Sequence, residues 1–256
     1  MTPAVLAAAA STLVKLDLSS TALTEEQVAA MFDILQPGGR LKRLNLANVN
    51  LSAVAADALA ATIATVVDAG LEETMLTPQQ AAAVCAAMAA GSTIRSIEFG
   101  SNFLGGLPAA TLAAAVAGLE EVGLSWCGLS TLQLGAVMAA VTEDCRLASL
   151  MLDGNTELAG MDREMLARAV NKLKVVSMKD CRVGVSQVTS ILKQAINLTK
   201  LEEVAFGTVV CQDWNEDWVR GLVKDARKVV GNVEVEVAVL DELDSLDFSA
   251  SDSDSD

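Results

Sequence analysis

Three segments decide the fold: Leu41–Leu51 reads LKRLNLANVNL, Ile94–Leu104 reads IRSIEFGSNFL, and Leu119–Leu129 reads LEEVGLSWCGL. Each carries an apolar residue at its first, fourth, sixth and eleventh positions, so the three superpose as LxxLxLxxxxL. Working outward, the pattern also begins at Leu13 (LVKLDLSSTAL), Leu147 (LASLMLDGNTEL), Leu173 (LKVVSMKDCRV) and Leu201 (LEEVAFGTVVC), and a short version, LEETML, begins at Leu71. The eight starts are 28, 30, 23, 25, 28, 26 and 28 residues apart. A period this constant implies one supersecondary element per unit, each burying its apolar side only by stacking on its neighbours.

Alternate residues of a strand face opposite sides. Columns one, four and six of the units therefore point into a common core, and columns three, five and seven form an outward row on a stacked parallel sheet. Column nine turns inward beneath the loop, where a side-chain amide or thiol meets backbone groups of neighbouring turns. Asn102, Cys127, Asn155 and Cys181 occupy it, while Thr21, Val49 and Val209 depart from it.

The intervening segments carry helix-start signals. Thr24 with Gln27, Thr77 with Gln80, Ser130 with Gln133 and Asp213 with Glu216 are spaced as capping pairs, and Pro78 falls at a first helical position. The periodicity predicts helices over Glu25–Leu35, Ala53–Asp68, Gln79–Ala90, Leu132–Val141, Arg163–Val170 and Gln187–Asn197, and a last helix over Asp213–Val230. Trp214 and Trp218, four apart, are expected to pack one face of that helix into the terminal cap. The alternation VEVEVAVL at Val233–Leu240 predicts a closing strand, and Pro3–Ala10 a short helix over the first unit.

The strand motif, with Asn or Cys at column nine, resembles the leucine-rich repeats, and full helices at a period near 28 resemble their ribonuclease-inhibitor class. The resemblance implies an α/β solenoid, a horseshoe with a parallel sheet on the concave side and helices on the convex side. Residues 1–12 would form an N-terminal capping helix, 13–240 eight repeats with a terminal strand, and 241–256 a disordered acidic tail. In the third unit LEETML runs straight into Thr77-Pro78, which would notch the rim of the array.

Composition limits the chemistry. The chain has no His, which excludes imidazole bases and His-containing zinc sites, and five Cys without a CxxC pair, which fits a reduced compartment. No phosphate-binding loop of the GxxxxGK[ST] type is present. The reading is therefore of a non-enzymatic chain with no cofactor or metal. Asp241–Asp256 holds seven acids and no base, leaving 26 acidic against 18 basic residues in the body. That balance argues against nucleic acid. The long uncharged runs owe their apolarity to Ala and are broken by Pro, Gly or Gln, so no membrane span is expected.

The outward row gives the candidate partner-binding residues: Arg43, Asn45, Glu73, Met75, Glu98, Glu121, Met151, Asp153 and Lys179, with Trp126 at the start of a rim loop. In the tail, Ser249, Ser251 and Ser253 each precede Asp by three residues, a context for acid-directed phosphorylation. The expected function is a cytoplasmic or nuclear adaptor, alone or as a subunit of a larger assembly, that binds a protein on its concave face, with the tail regulating the contact. Two alternatives come from resemblances of layout: a small-GTPase activator similar to the Ran GTPase-activating proteins, and an acidic chaperone of basic proteins.

Overall fold

The computed structural model describes residues 12–35, 39–197, 200–211 and 213–239. The proposed N-terminal helix and the acidic tail with Ser249, Ser251 and Ser253 lie outside these residues, as do the side chains of Cys211, Asp213 and Trp214.

Nine strands form one open parallel sheet in strict chain order. They are β1 (Lys15–Asp17), β2 (Arg43–Asn45), β3 (Asp68–Gly70), β4 (Ser96–Glu98), β5 (Glu121–Gly123), β6 (Ser149–Met151), β7 (Val175–Ser177), β8 (Glu203–Cys211) and β9 (Asn232–Val239). Between them run α1 (Glu25–Ile34), α2 (Ala56–Ile63), α3 (Pro78–Ala89), α4 (Ala109–Val116), α5 (Thr131–Ala140), α6 (Arg163–Val170), α7 (Val185–Asn197) and α8 (Asp213–Ala226). Strand and helix alternate throughout, so each unit makes one turn of a solenoid and successive helices pack side by side on its convex face. Alanines such as Ala81, Ala115 and Ala167, all buried, allow that close approach.

The register is in phase along the whole array, with column four running Leu16, Leu44, Ala69, Ile97, Val122, Leu150, Val176 and Val204. All eight are buried, and column six supplies Leu46, Leu71, Phe99, Leu124, Leu152, Met178 and Phe206 to the same core. The interior strands end after three residues because the chain turns at column eight. Ser20, Asn48, Glu73, Ser101, Trp126 and Asp180 all take positive φ there, joined by Gly154. A left-handed residue with a Cβ costs about 1 kcal/mol. The turn recovers it by aiming its N–H at the next unit: Ser101 N–H donates to Ser125 O at 2.8 Å and Trp126 N–H to Asp153 O at 2.6 Å.

The register corrects the sequence reading of the third unit. Its strand is Asp68–Gly70, so the unit starts at Val66, and Leu71 is its column-six residue. The predicted helix Ala53–Asp68 accordingly shortens to Ala56–Ile63. The supposed notch disappears as well, because Leu71–Leu76 is an ordinary rising loop with Thr74 buried at column nine and Leu76 at column eleven. With Val66 as the start, the spacings alternate between 28 and 25 or 26 residues. The true repeat is a pair of units: Leu13, Val66, Leu119 and Leu173 are separated by 53, 53 and 54 residues.

Odd and even units divide the polar work of the core. Asn102 and Asn155, both in even units, bridge strands at column nine. Asn102 donates to Leu71 O at 2.5 Å and accepts from Leu76 N–H at 3.0 Å; Asn155 donates to Leu124 O at 2.8 Å and accepts from Leu129 N–H at 3.1 Å. Odd units put Thr74, Cys127 and Cys181 at that column, each donating to a carbonyl. They also carry a glutamine at the third helical position. Gln80, Gln133 and Gln187 reach back from α3, α5 and α7 to two carbonyls each in the preceding unit, at 2.6 to 3.0 Å. The capping boxes Thr24/Gln27, Thr77/Gln80 and Ser130/Gln133 form as expected.

Candidate partner-binding face

On the concave side, columns three, five and seven present their side chains outward from adjacent strands. Neighbouring strands lie about 4.8 Å apart, and large side chains face each other only if some lean aside. They lean toward the following unit, onto a glycine in the same column. Cβ atoms added at Gly70 and Gly123 would run into Asn45 and Glu98, one added at Gly100 would press on Glu72 at 3.3 Å, and one added at Gly154 would enter the Trp126 ring. The same relation holds on the rim, where a Cβ at Gly128 would lie 3.0 Å from the Phe103 ring. Large residue and glycine thus alternate along a column, and the glycines are seats for side chains of the unit before.

This arrangement governs the electrostatics. Glu98 lies across Gly123 with Glu72 and Glu121 on either side. Although one side of it remains open, the surrounding protein strips water from its carboxyl. That loss of hydration, followed by the like charges of Glu72 and Glu121, pushes its pKa up to about 7. No hydrogen-bond donor or cation meets the Glu98 side chain among the described residues. Glu121 accepts only a long bond from Ser96 Oγ at 3.4 Å. Toward the N-terminal end, Arg43 pairs with Asp68 at 2.8 Å, and Lys15, Asp17, Asn45 and Glu72 help line an open depression of about 340 Å3.

The other expected site residues fall into three groups. Met151 is half-buried on the concave face. Asp153 and Lys179 are already engaged: Asp153 accepts from Ser177 Oγ at 2.5 Å and from Lys179 N–H at 2.8 Å, and the Lys179 ammonium meets Glu234 at 2.8 Å. The Glu234 carboxylate raises the Lys179 pKa. Glu73 and Met75 do not belong to the concave row, contrary to the sequence reading, and Thr77 caps α3. Both precede the helix on the rim, in left-handed conformations, and their concave places are taken by Asp68, Gly70 and Glu72.

The rim adds Phe103 and Leu132, which the sequence reading did not single out, to Met75 and Trp126, which it did. Phe103 is 67% exposed, Met75 66% and Trp126 56%, and Leu132, at the start of α5, is 76% exposed. Aligning column ten would have paired Phe103 with Gly128. Trp218, expected in the cap core, is 48% exposed and has the Lys193 ammonium 5.0 Å from its ring centroid.

Burial pushes the thiols of Cys85, Cys127 and Cys181 up to about 12, so they stay protonated and unreactive. Among the described residues, no group of three Cys, Asp or Glu side chains could hold a metal ion, and no helix is long and apolar enough to cross a membrane.

No protein-family description and no curated protein matches the sequence. Among solved structures, the chain is similar to the leucine-rich repeat-containing protein LegL7 from Legionella pneumophila, at 15% identity and a TM-score of 0.50, over 90% of this chain and 84% of that one. In-phase strands, inward column nine and helical outer layer agree with that likeness: the fold is a leucine-rich-repeat solenoid, with its parallel sheet on the concave side and its helices on the convex side.

Proposed function

We propose that the chain is a binding module that docks a protein partner across its concave sheet, without chemistry of its own. The observation that carries this reading is the state of Glu98: a carboxyl held at a half-desolvated, like-charged position with no internal counter-charge. Such a group costs stability and is relieved by a partner. The glycine seats support the reading, since they hold concave side chains in fixed postures before any partner arrives.

The test is affinity capture with the full chain, an Arg43→Glu/Glu98→Lys variant and a convex control, Lys224→Glu. A docking face predicts that the retained proteins disappear with the first variant and persist with the control. Identical retention by all three would refute it. A chain ending at Leu240, run beside them, reads the contribution of the acidic tail as regulator; partners lost only on that truncation would favour a tail-driven acidic chaperone instead.

A further inference from the structure

The outward and rim segments of units three to six, residues 68–77, 96–105, 121–130 and 149–158, contain seven acidic residues and no Lys or Arg. Among the described residues, Asp68 alone of the seven has an ion pair, supplied by Arg43 of the unit before. Glu72, Glu98 and Glu121 follow one another across three strands without an ion pair among the described residues. Within the same units the rim exposes Met75, Phe103 and Trp126. Phe103 and Trp126 are held open by left-handed or glycine-bearing neighbours: Trp126 itself has φ 58°, and Gly128 and Gly154 leave room for the two rings. Large aromatic side chains fixed in one posture bind at low entropic cost.

The two features adjoin, because each chain passes directly from column seven on the sheet to columns eight and ten on the rim. A surface of one sign with apolar anchors along its edge selects its occupant. Nucleic acid and anionic lipid are repelled. A second copy of this chain, docked by the same face through a two-fold contact, would set this acidic patch against itself. A cationic segment that also carries a large apolar residue gains on both counts: its ammonium or guanidinium groups neutralise the carboxylates, and its apolar side chain packs on Trp126 and Phe103.

We infer that units three to six take an extended, basic segment of a protein partner, which places Lys or Arg over Glu72, Glu98 and Glu121 and an aromatic or branched aliphatic side chain against Phe103 and Trp126. Three strand steps span about 15 Å, which four to five extended residues cover at about 3.3 Å each. This inference rests on the concave-docking reading and narrows it to a partner chemistry.

The experiment is selection of a displayed library of random linear peptides on the full chain, followed by calorimetric titration of the selected peptides. The expected winners carry several Lys or Arg beside a large apolar residue. Their affinity should fall about tenfold with Trp126→Ala and about tenfold with Glu72→Gln/Glu98→Gln, and should weaken steeply with added salt. Both substitutions are on exposed side chains, and cooperative melting that matches the parent at pH 5 will show that the fold is kept. Winners of neutral or acidic composition that are lost on Asn45→Lys or Met151→Lys would overturn the inference while leaving concave docking in place. Basic winners indifferent to every concave and rim substitution would overturn both. A selection that enriches nothing counts against a linear basic segment.

Discussion

The middle of the solenoid and its C-terminal end are built from the same unit and treat charge in opposite ways. At the end, the left-handed residue comes one column early, at Gly207, and β8 does not leave the sheet. It runs on for nine residues beside the eight of β9, with a register irregularity between Ala205 and Gly207. There the outward acids are satisfied: Glu234 by Lys179, Glu236 by Thr208 Oγ1 at 2.9 Å, and Glu203 by Asn232 Nδ2 at 3.1 Å. Val233, Val235 and Val237 pack inward against the core between them. In units three to six the strands stop after three residues, and Glu72, Glu98 and Glu121 lie close together without an ion pair among the described residues. A terminus has to close the array, and pairing its charges serves that; the middle is already closed by its neighbours, so its unpaired charges have no structural purpose.

Substitutions can break this contrast, and their effects are expected in a definite order. Asn102→Ala should be the most damaging, because Asn102 joins two units and its loss strands Leu76 N–H in the core and leaves the Leu71 carbonyl with the Thr74 hydroxyl as its one remaining side-chain donor. About 3 kcal/mol of unfolding free energy is expected to disappear, measurable by denaturant titration. Gly154→Ala comes next: φ 72° and the Trp126 ring both oppose a Cβ. A loss of about 1–2 kcal/mol is expected, with displacement of Trp126 visible as weakened binding of basic peptides.

Glu98→Gln should act in the other direction and only at higher pH. The folded carboxyl titrates at about 7, above its ordinary value of 4.5, so between those values the folded state keeps a proton that the unfolded state has lost. Its contribution is therefore most favourable at low pH and declines as pH rises through 7. Melting curves should show the glutamine variant more stable than the parent at pH 8 and nearly equal to it at pH 5. Glu234→Gln should have the smallest effect: it breaks an exposed pair with Lys179, and salt should erase the difference in melting temperature. If Glu234→Gln proved as costly as Asn102→Ala, the distinction between a structural end and a functional middle would fail.

Much of this was legible in the sequence, because columns four and six are apolar in every unit and column nine carries Asn or Cys in four of them, which is the physics of a stacked sheet. The third unit was misframed for a specific reason. Its column four is Ala69 and its column five Gly70, a weak strand signal, whereas Leu71-Glu72-Glu73 imitates the Leu119-Glu120-Glu121 and Leu201-Glu202-Glu203 starts. The error moved Glu73 and Met75 onto the concave face and concealed Glu72. The glycine seats were also readable in principle, as a large residue followed by Gly in the same column one unit later. Their meaning depends on which way a side chain leans, and that is set by packing between units. The exposure of Trp218 follows likewise from how α8 lies beside α7, which periodicity alone does not give.

The central claim is that Glu98 stands at an electrostatically unsatisfied site awaiting a cation. The most direct measurement is an NMR titration of the glutamate side-chain carboxyls in the full chain, with Glu98→Gln to identify the signal, in the absence and presence of a short lysine–leucine peptide. The account predicts a midpoint near 7 in the free chain that falls by about a unit or more when the peptide is bound. A midpoint in the ordinary carboxylate range, unchanged by the peptide, would contradict it.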